Sequence, residues 1–212
     1  MTPKEIGNAA LAALERIADW CIVSAFFLLC CVPVVTAGSA CASLYDTAAR
    51  YFLSRHGSLK TTFFASFRRN WKQGIPLSLL LAAAGILVSA YLYLGETYAL
   101  SGGYAVVYWL VVAVVSAVAF GVLAWAFPLL SRFDQKTGAI LKAAFALAVG
   151  DPLRTLGLLV MLAVCGFACR CVPMLLFLLP GIYAQLAGRL QEPILEKHTA
   201  PGERPTWAED EE

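Results

Sequence analysis

Hydrophobic positions gather into five long charge-free stretches: Trp20 to Tyr45, Gln73 to Gly95, Thr97 to Ser131, Thr155 to Cys169, and Cys171 to Gly188. A helix needs about 20 apolar residues to cross the hydrocarbon core of a bilayer. The second and third stretches are long enough unaided. The first is interrupted by Pro33, and the last two are short, with Arg170 between them. The pattern predicts an all-α fold: a polytopic transmembrane bundle of about five membrane helices, with amphipathic interfacial helices beside them. The expected spans are 20–37, 74–95, 104–131, 153–169 and 171–189. The last two read as tight antiparallel helices with Arg170 snorkelling at their turn, because a charge at the bilayer centre costs at least about 2.5–3.5 kcal/mol.

Polar positions organise the rest. Residues 1–19 read as an amphipathic helix leading into the first span, with Thr2 as N-cap, Pro3 in the first turn and Glu5 closing a capping box. Its apolar face is Ile6, Ala10, Ala13, Leu14 and Ile17. Pro33 donates no backbone hydrogen bond and disfavours helix before it, so Pro33, Thr36 and Gly38 form a candidate helix break. Thr36 or Ser39 is expected to cap the helix that follows. Between the first two long spans lies a basic loop, 46–73. Within it Phe63, Phe67 and Trp71 recur at helical spacing, while Arg68, Arg69 and Lys72 supply charge on other faces. Those six residues are the candidate contact with lipid headgroups or a partner protein, and an ordinary helix packed on the bundle is the alternative. Asp134 can cap a helix over 135–149, and Gly150-Asp151-Pro152 reads as a helix end followed by a start. The membrane domain thus spans 20–196. The Pro-, Gly- and acid-rich tail, 197–212, buries too little apolar surface to order itself.

Composition supports lipid as the solvent. Hydrophobic residues make up 60% of the chain and charged residues 14%, against roughly 45–50% and 25% in soluble domains. The net charge of +2 gives no footprint for nucleic acid. Lys and Arg are distributed thirteen against three between the two sides that alternate crossing defines, which puts 46–73, 131–154 and the C-terminus in the cytoplasm. A full first crossing places the N-terminus outside. If the chain turns back at Pro33, the N-terminus is inside.

Candidate chemistry is sparse. The seven cysteines, all in or beside apolar runs, fit small packing residues better than a disulfide framework or a zinc site. No metalloprotease, serine-hydrolase or P-loop signature occurs. Asp46 and Asp151 form a weak analogue of an aspartyl protease pair, but Pro152 already explains Asp151 as a helix cap. We therefore expect no enzyme activity, no catalytic residue, no cofactor and no metal. The ionisable or polar residues that a solute pathway could use are Asp46, Arg170 and Gln185. Ala117 with Gly121 and Ala184 with Gly188 have the small-xxx-small spacing of close helix contacts.

Three segments carry a resemblance. Leu28 to Gly38 reads LLCCVPVVTAG, Ala42 to Tyr45 reads ASLY, and Phe63 to Gln73 reads FFASFRRNWKQ. Together they resemble the YesL-like family of bacterial membrane proteins, with its CLPVVTxGxA…ALY and FFxxFKxNFKQ patterns. Arg132-Phe133-Asp134 and Asp151 to Leu156 are similar to that family's RFD and HPLRTL segments. Asp151 stands where the family commonly has histidine, and Asp46 where it is usually aromatic or apolar. The resemblance implies a polytopic protein of unassigned activity, mainly from Gram-positive bacteria and often encoded near carbohydrate uptake systems. It implies a bacterial cell-membrane location. It suggests an accessory protein whose partners are the lipid bilayer and a sugar ABC transporter or another membrane protein. A small-solute transporter or channel subunit is the alternative.

Overall fold

The computed structural model describes residues 3–53, 58–97, 103–133 and 136–198. Every regular element among them is helical. Helix α1 (Pro3–Cys31) ends just before Pro33, and a 3-10 turn (Val34–Thr36) leads into α2 (Ala37–Thr47). A π-type turn (Ala48–Leu53) extends α2. Then follow α3 (Leu59–Thr97), α4 (Gly103–Arg132), α5 (Thr137–Gly150) and α6 (Pro152–Cys171). A second 3-10 turn (Pro173–Phe177) precedes α7 (Leu179–His198). The fold is an all-α bundle. The expected caps Thr2 and Asp134, and the tail beyond His198, lie outside the described residues.

Helices α3 and α4 form a long antiparallel hairpin. At one end the Tyr108 hydroxyl donates to the Tyr91 carbonyl at 2.6 Å. At the other, Arg69 donates to the Ser131 carbonyl at 3.0 Å. The main core sits towards the second end, where Trp125, Leu130, Ile140, Leu158 and Leu195 are buried around Leu77 and Tyr45. A smaller core joins Val23, Leu44, Leu59, Phe63 and Ala184. Beyond these cores α3, α4 and α6 present apolar side chains outward: Ile86, Val106, Leu110, Val160 and Phe167 are all exposed.

Among the described residues, three helices are long and apolar enough to cross a membrane: Leu59–Thr97, Tyr104–Arg132 and Pro152–Cys171. The other two expected stretches differ for identifiable reasons. In α1 the apolar run starts after Asp19, and the helix stops at Cys31 because of Pro33. The stretch 171–189 is not one helix: Pro173 opens a 3-10 turn, and α7 starts only at Leu179. Arg170 lies exposed in the last turn of α6.

The largest correction concerns 58–73. This segment is not a separate interfacial helix or a loop. It is the first part of α3, which continues through Pro76 to Thr97 as one helix of 39 residues. Pro76 removes one hydrogen bond without ending the helix. The α2–α3 contact described next holds both sides of it in place.

Candidate functional site

Helices α2 and α3 meet face to face. Helix α2 packs antiparallel on α3, and the backbones touch where Gly38 crosses Gly74. A Cβ on Gly38 would lie 2.6 Å from the Gly74 carbonyl oxygen, and one on Gly74 would lie 2.7 Å from the Ser39 nitrogen. Only residues without side chains allow helices this close. The Gly38 N–H, one of the free donors at the start of α2, donates to Ser78 Oγ at 2.7 Å. Ser78 Oγ in turn donates to the Gly74 carbonyl at 2.9 Å. Ser39 Oγ donates to the carbonyls of Asn70 and Trp71, each at 3.3 Å.

Neither expected cap therefore acts as one. Thr36 occupies the N-cap position of α2, but its side chain makes no cap bond. It turns back to donate to the Cys30 and Pro33 carbonyls, closing the end of α1. Ser39 serves α3 instead. Asp151 likewise sits at the N-cap of α6 without a side-chain cap. Its carbonyl accepts from Thr155 Oγ1 at 3.0 Å, and the same hydroxyl accepts from Trp125 Nε1 at 3.0 Å.

About two helical turns along α2 from Ser39 lies a buried ion cluster. Asp46 is 2% exposed. Arg50 Nε reaches its Oδ1 at 3.0 Å, and Arg69 NH2 its Oδ2 at 3.3 Å. Burial raises the Asp46 carboxyl above its usual range, and Arg50, a Ser66 hydrogen bond and Arg69 offset part of the rise. Arg69 extends the network to the Ser131 carbonyl, next to Arg132. Arg132 pairs with Glu192 of α7. Glu192 also accepts from the Tyr45 hydroxyl at 2.9 Å. Burial first, then the Glu192 charge, push the Tyr45 phenol up, so it stays a neutral donor. Five charged side chains from α2, α3, α4, α7 and the π-type turn, with the Tyr45 phenol, thus form one cluster. Gln191 adds a bond from its amide to the Ala124 carbonyl at 2.9 Å.

The six candidate contact residues divide. Phe63 is fully buried, 5.9 Å from the Phe26 ring and stacked on Phe67 at 6.5 Å. It belongs to the interior, because the aromatic side of this helix faces α1 and the π-type turn. Arg69 is occupied by Asp46 and Ser131, and Phe67 is half-buried. Arg68, Trp71 and Lys72 are exposed, with Phe64 and Lys60 on the same outer side. The surface strip is therefore Lys60, Phe64, Arg68, Trp71 and Lys72. Phe63 and Arg69 are corrected to structural roles. Of the break residues, Pro33 ends α1, Thr36 ties the turn and Gly38 makes the crossing.

The small-xxx-small pairs face the chain's own helices. A Cβ on Gly121 would meet the Thr155 methyl at 2.9 Å, and Ala184 and Gly188 are buried. An apolar groove of about 420 Å³ runs beside Gly121 at the joint of α5 and α6, lined by Val118, Ala148, Thr155 and Leu159. Among the described residues the cysteines are free thiols, and no group of three His, Cys, Asp or Glu side chains could hold a metal ion.

Sequence reasoning missed Glu192, Tyr45 and the link through Ser131. The one signal available was Asp46, an acid at the end of an otherwise charge-free run.

The architecture defines the class: a helical bundle with three helices able to cross a membrane and a buried ionic cluster at one end of its central hairpin. Within that class, residues 20–91 match a protein-family model described as "Protein of unknown function, DUF624". The matched region runs from Trp20 in α1 through the α2–α3 crossing to Tyr91 in α3. No curated protein and no solved structure matches the chain.

Proposed function

We propose that this chain is a multi-pass protein of the bacterial cell membrane, YesL-like, acting as a non-enzymatic accessory of a membrane transport system. The observation that carries this reading is the separation of surfaces. The long helices expose apolar side chains along most of their length, while the buried ionisable side chains near their common end pair with one another. A soluble protein of this size rarely leaves so much contiguous apolar surface uncovered. The helix α3 measures about 58 Å at 1.5 Å per residue, nearly twice a hydrocarbon core of about 30 Å. Its basic first part, Leu59 to Gln73, therefore extends beyond the core, into headgroups and water. The distribution of Lys and Arg favours the cytoplasm for that end and for the C-terminus. The exposed strip on α3 offers a transporter's cytoplasmic surface, or the leaflet itself, something to hold. The family resemblance is what directs the choice towards carbohydrate uptake.

The test is capture from detergent-solubilised membranes with a tag on the C-terminus. The reading expects the permease of a sugar importer among the co-purifying proteins, and expects its yield to fall when Arg68 and Lys72 are both changed to Glu. A recovered set no different from that of an unrelated membrane protein would overturn it.

A second reading, a small-solute transporter or channel subunit, draws support from the buried cluster of Asp46, Arg50, Arg69, Arg132 and Glu192. Ionisable side chains inside a membrane bundle commonly mark a pathway. It expects solute flux in proteoliposomes that is lost in Asp46→Asn while the protein remains folded.

A further inference from the structure

Away from the ion cluster, α1, the π-type turn and α7 enclose a polar cleft of about 290 Å³. Two carboxylates, Glu15 and Asp19, line it from successive turns of α1, where residues four apart share a face. Arg16 lines it as well. The π-type turn contributes Tyr51 and Phe52, their rings edge to face at 5.2 Å. The Tyr51 hydroxyl donates to Asp19 Oδ2 at 3.0 Å, which fixes that carboxylate in place. Burial pushes the Tyr51 phenol up, and the Asp19 and Glu15 carboxylates push it the same way, so the cleft is negative around the ring.

The last wall is Gln185, 7% exposed and part of α7. Trp20 Nε1 can only donate, and it does so to Gln185 Oε1 at 2.8 Å. That bond fixes the amide orientation and leaves the NH2 as a donor with no protein partner among the described residues. Glu15 and Arg16 likewise have no ion-pair partner among them. The cleft therefore combines unspent acceptors of negative charge, unspent donors, and an aromatic wall. An isolated cation would leave Arg16 and the Gln185 amide unmatched, and an anion would face two carboxylates.

From this we infer that the cleft binds a small amino-acid zwitterion with an apolar side chain. Its ammonium is held by Glu15 and Asp19, its carboxylate by Arg16 and the Gln185 amide, and its side chain lies against Tyr51 and Phe52. The charge pattern selects the ligand class. A hydrogen-bonded charged group contributes about twice what a neutral one does, so each charged contact discriminates strongly. This inference is independent of the accessory-protein reading and survives its failure.

Isothermal titration calorimetry on the full chain in detergent tests it, with free leucine and free phenylalanine as probes. At least one should saturate at concentrations up to about 10 mM, which corresponds to only a few kcal/mol of affinity. Leucinamide, which lacks the carboxylate, and N-acetylleucine, which lacks the ammonium, should each bind about ten-fold more weakly than leucine, the loss of one charge-assisted contact. Glu15→Gln and Arg16→Gln change exposed residues and should weaken binding by a similar factor at an unchanged melting temperature. Asp19→Asn keeps an acceptor for Tyr51 and should do the same. Saturation by neither amino acid overturns the inference. So does leucinamide binding as tightly as leucine, which would make the cleft a simple cation site. Binding indifferent to both Glu15→Gln and Arg16→Gln overturns it as well.

Discussion

At Gly74 a single methyl group is enough to force two backbones apart. The Cβ of an alanine there would press on the Ser39 nitrogen and Cα of α2, atoms that cannot turn away. Gly85, farther along the same helix, has nothing within 4 Å of the corresponding position. Gly74→Ala should therefore destabilise the protein by about 1–3 kcal/mol, the usual range for overpacking. Gly85→Ala should leave it unchanged or stabilise it by up to about 1 kcal/mol, the helix-propensity difference between the two residues. Thermal unfolding in one detergent compares them directly. Equal melting temperatures would mean that the α2–α3 crossing is looser than the geometry indicates. The same crossing explains why serine recurs here: Ser39 and Ser78 are small enough to enter the contact and polar enough to satisfy the backbone groups that it exposes.

At the level of elements, what the sequence made legible was local. The break at Pro33 could be read because proline removes a donor from its own helix. The start of α6 at Pro152 could be read for the same reason, although Thr155 rather than Asp151 does the tying. The continuity of α3 was not legible. Gly74, Pro76 and the change from basic to apolar composition all suggest a boundary, yet helix hydrogen bonds are local and α2 braces the junction from outside. The ion cluster was less legible still, since Tyr45 and Glu192 lie 147 residues apart. Their contact carries a consequence for α7. Glu192 holds both Tyr45 and Arg132, and the Arg132 and Glu192 side chains are only 10% and 12% exposed. Deleting one partner of a buried ion pair costs about 3–5 kcal/mol. Glu192→Ala should therefore loosen α7 ahead of the α3–α4 hairpin. Hydrogen exchange should show faster exchange over 185–195 with little change over 80–90. Uniform acceleration across both segments would instead make the cluster a keystone of the whole bundle.

For the whole molecule, the central question is which surface meets which medium, and the hairpin of α3 and α4 gives it a handle. Lys60 lies near one end of this hairpin and Tyr104 near the other, both exposed. In a background without cysteine, Lys60→Cys should be shielded from a membrane-impermeant thiol reagent in intact cells, and Tyr104→Cys should react. The reverse pattern would invert the orientation that the Lys and Arg distribution implies. Under the expected labelling pattern the exposed strip on α3 lies on the cytoplasmic side, where anionic lipid attracts basic side chains by about 1 kcal/mol each. Changing Arg68 and Lys72 to Glu replaces attraction with repulsion while leaving the buried Phe63 and the Asp46-paired Arg69 untouched. Salt discriminates among the possible consequences. If the strip holds headgroups or an acidic partner, the parent's association with anionic liposomes or with the captured transporter should weaken as ionic strength rises, because screening shortens the reach of exposed charge to about 10 Å at 0.1 M. The charge-reversed protein should start weak and lose little more. Trp71→Ala should act differently, lowering association at every salt concentration by removing apolar contact that screening does not affect. Should the charge reversal and the tryptophan change both leave association intact, the strip is only the solvated side of a strut, and recognition by this end of the molecule would have to be given up.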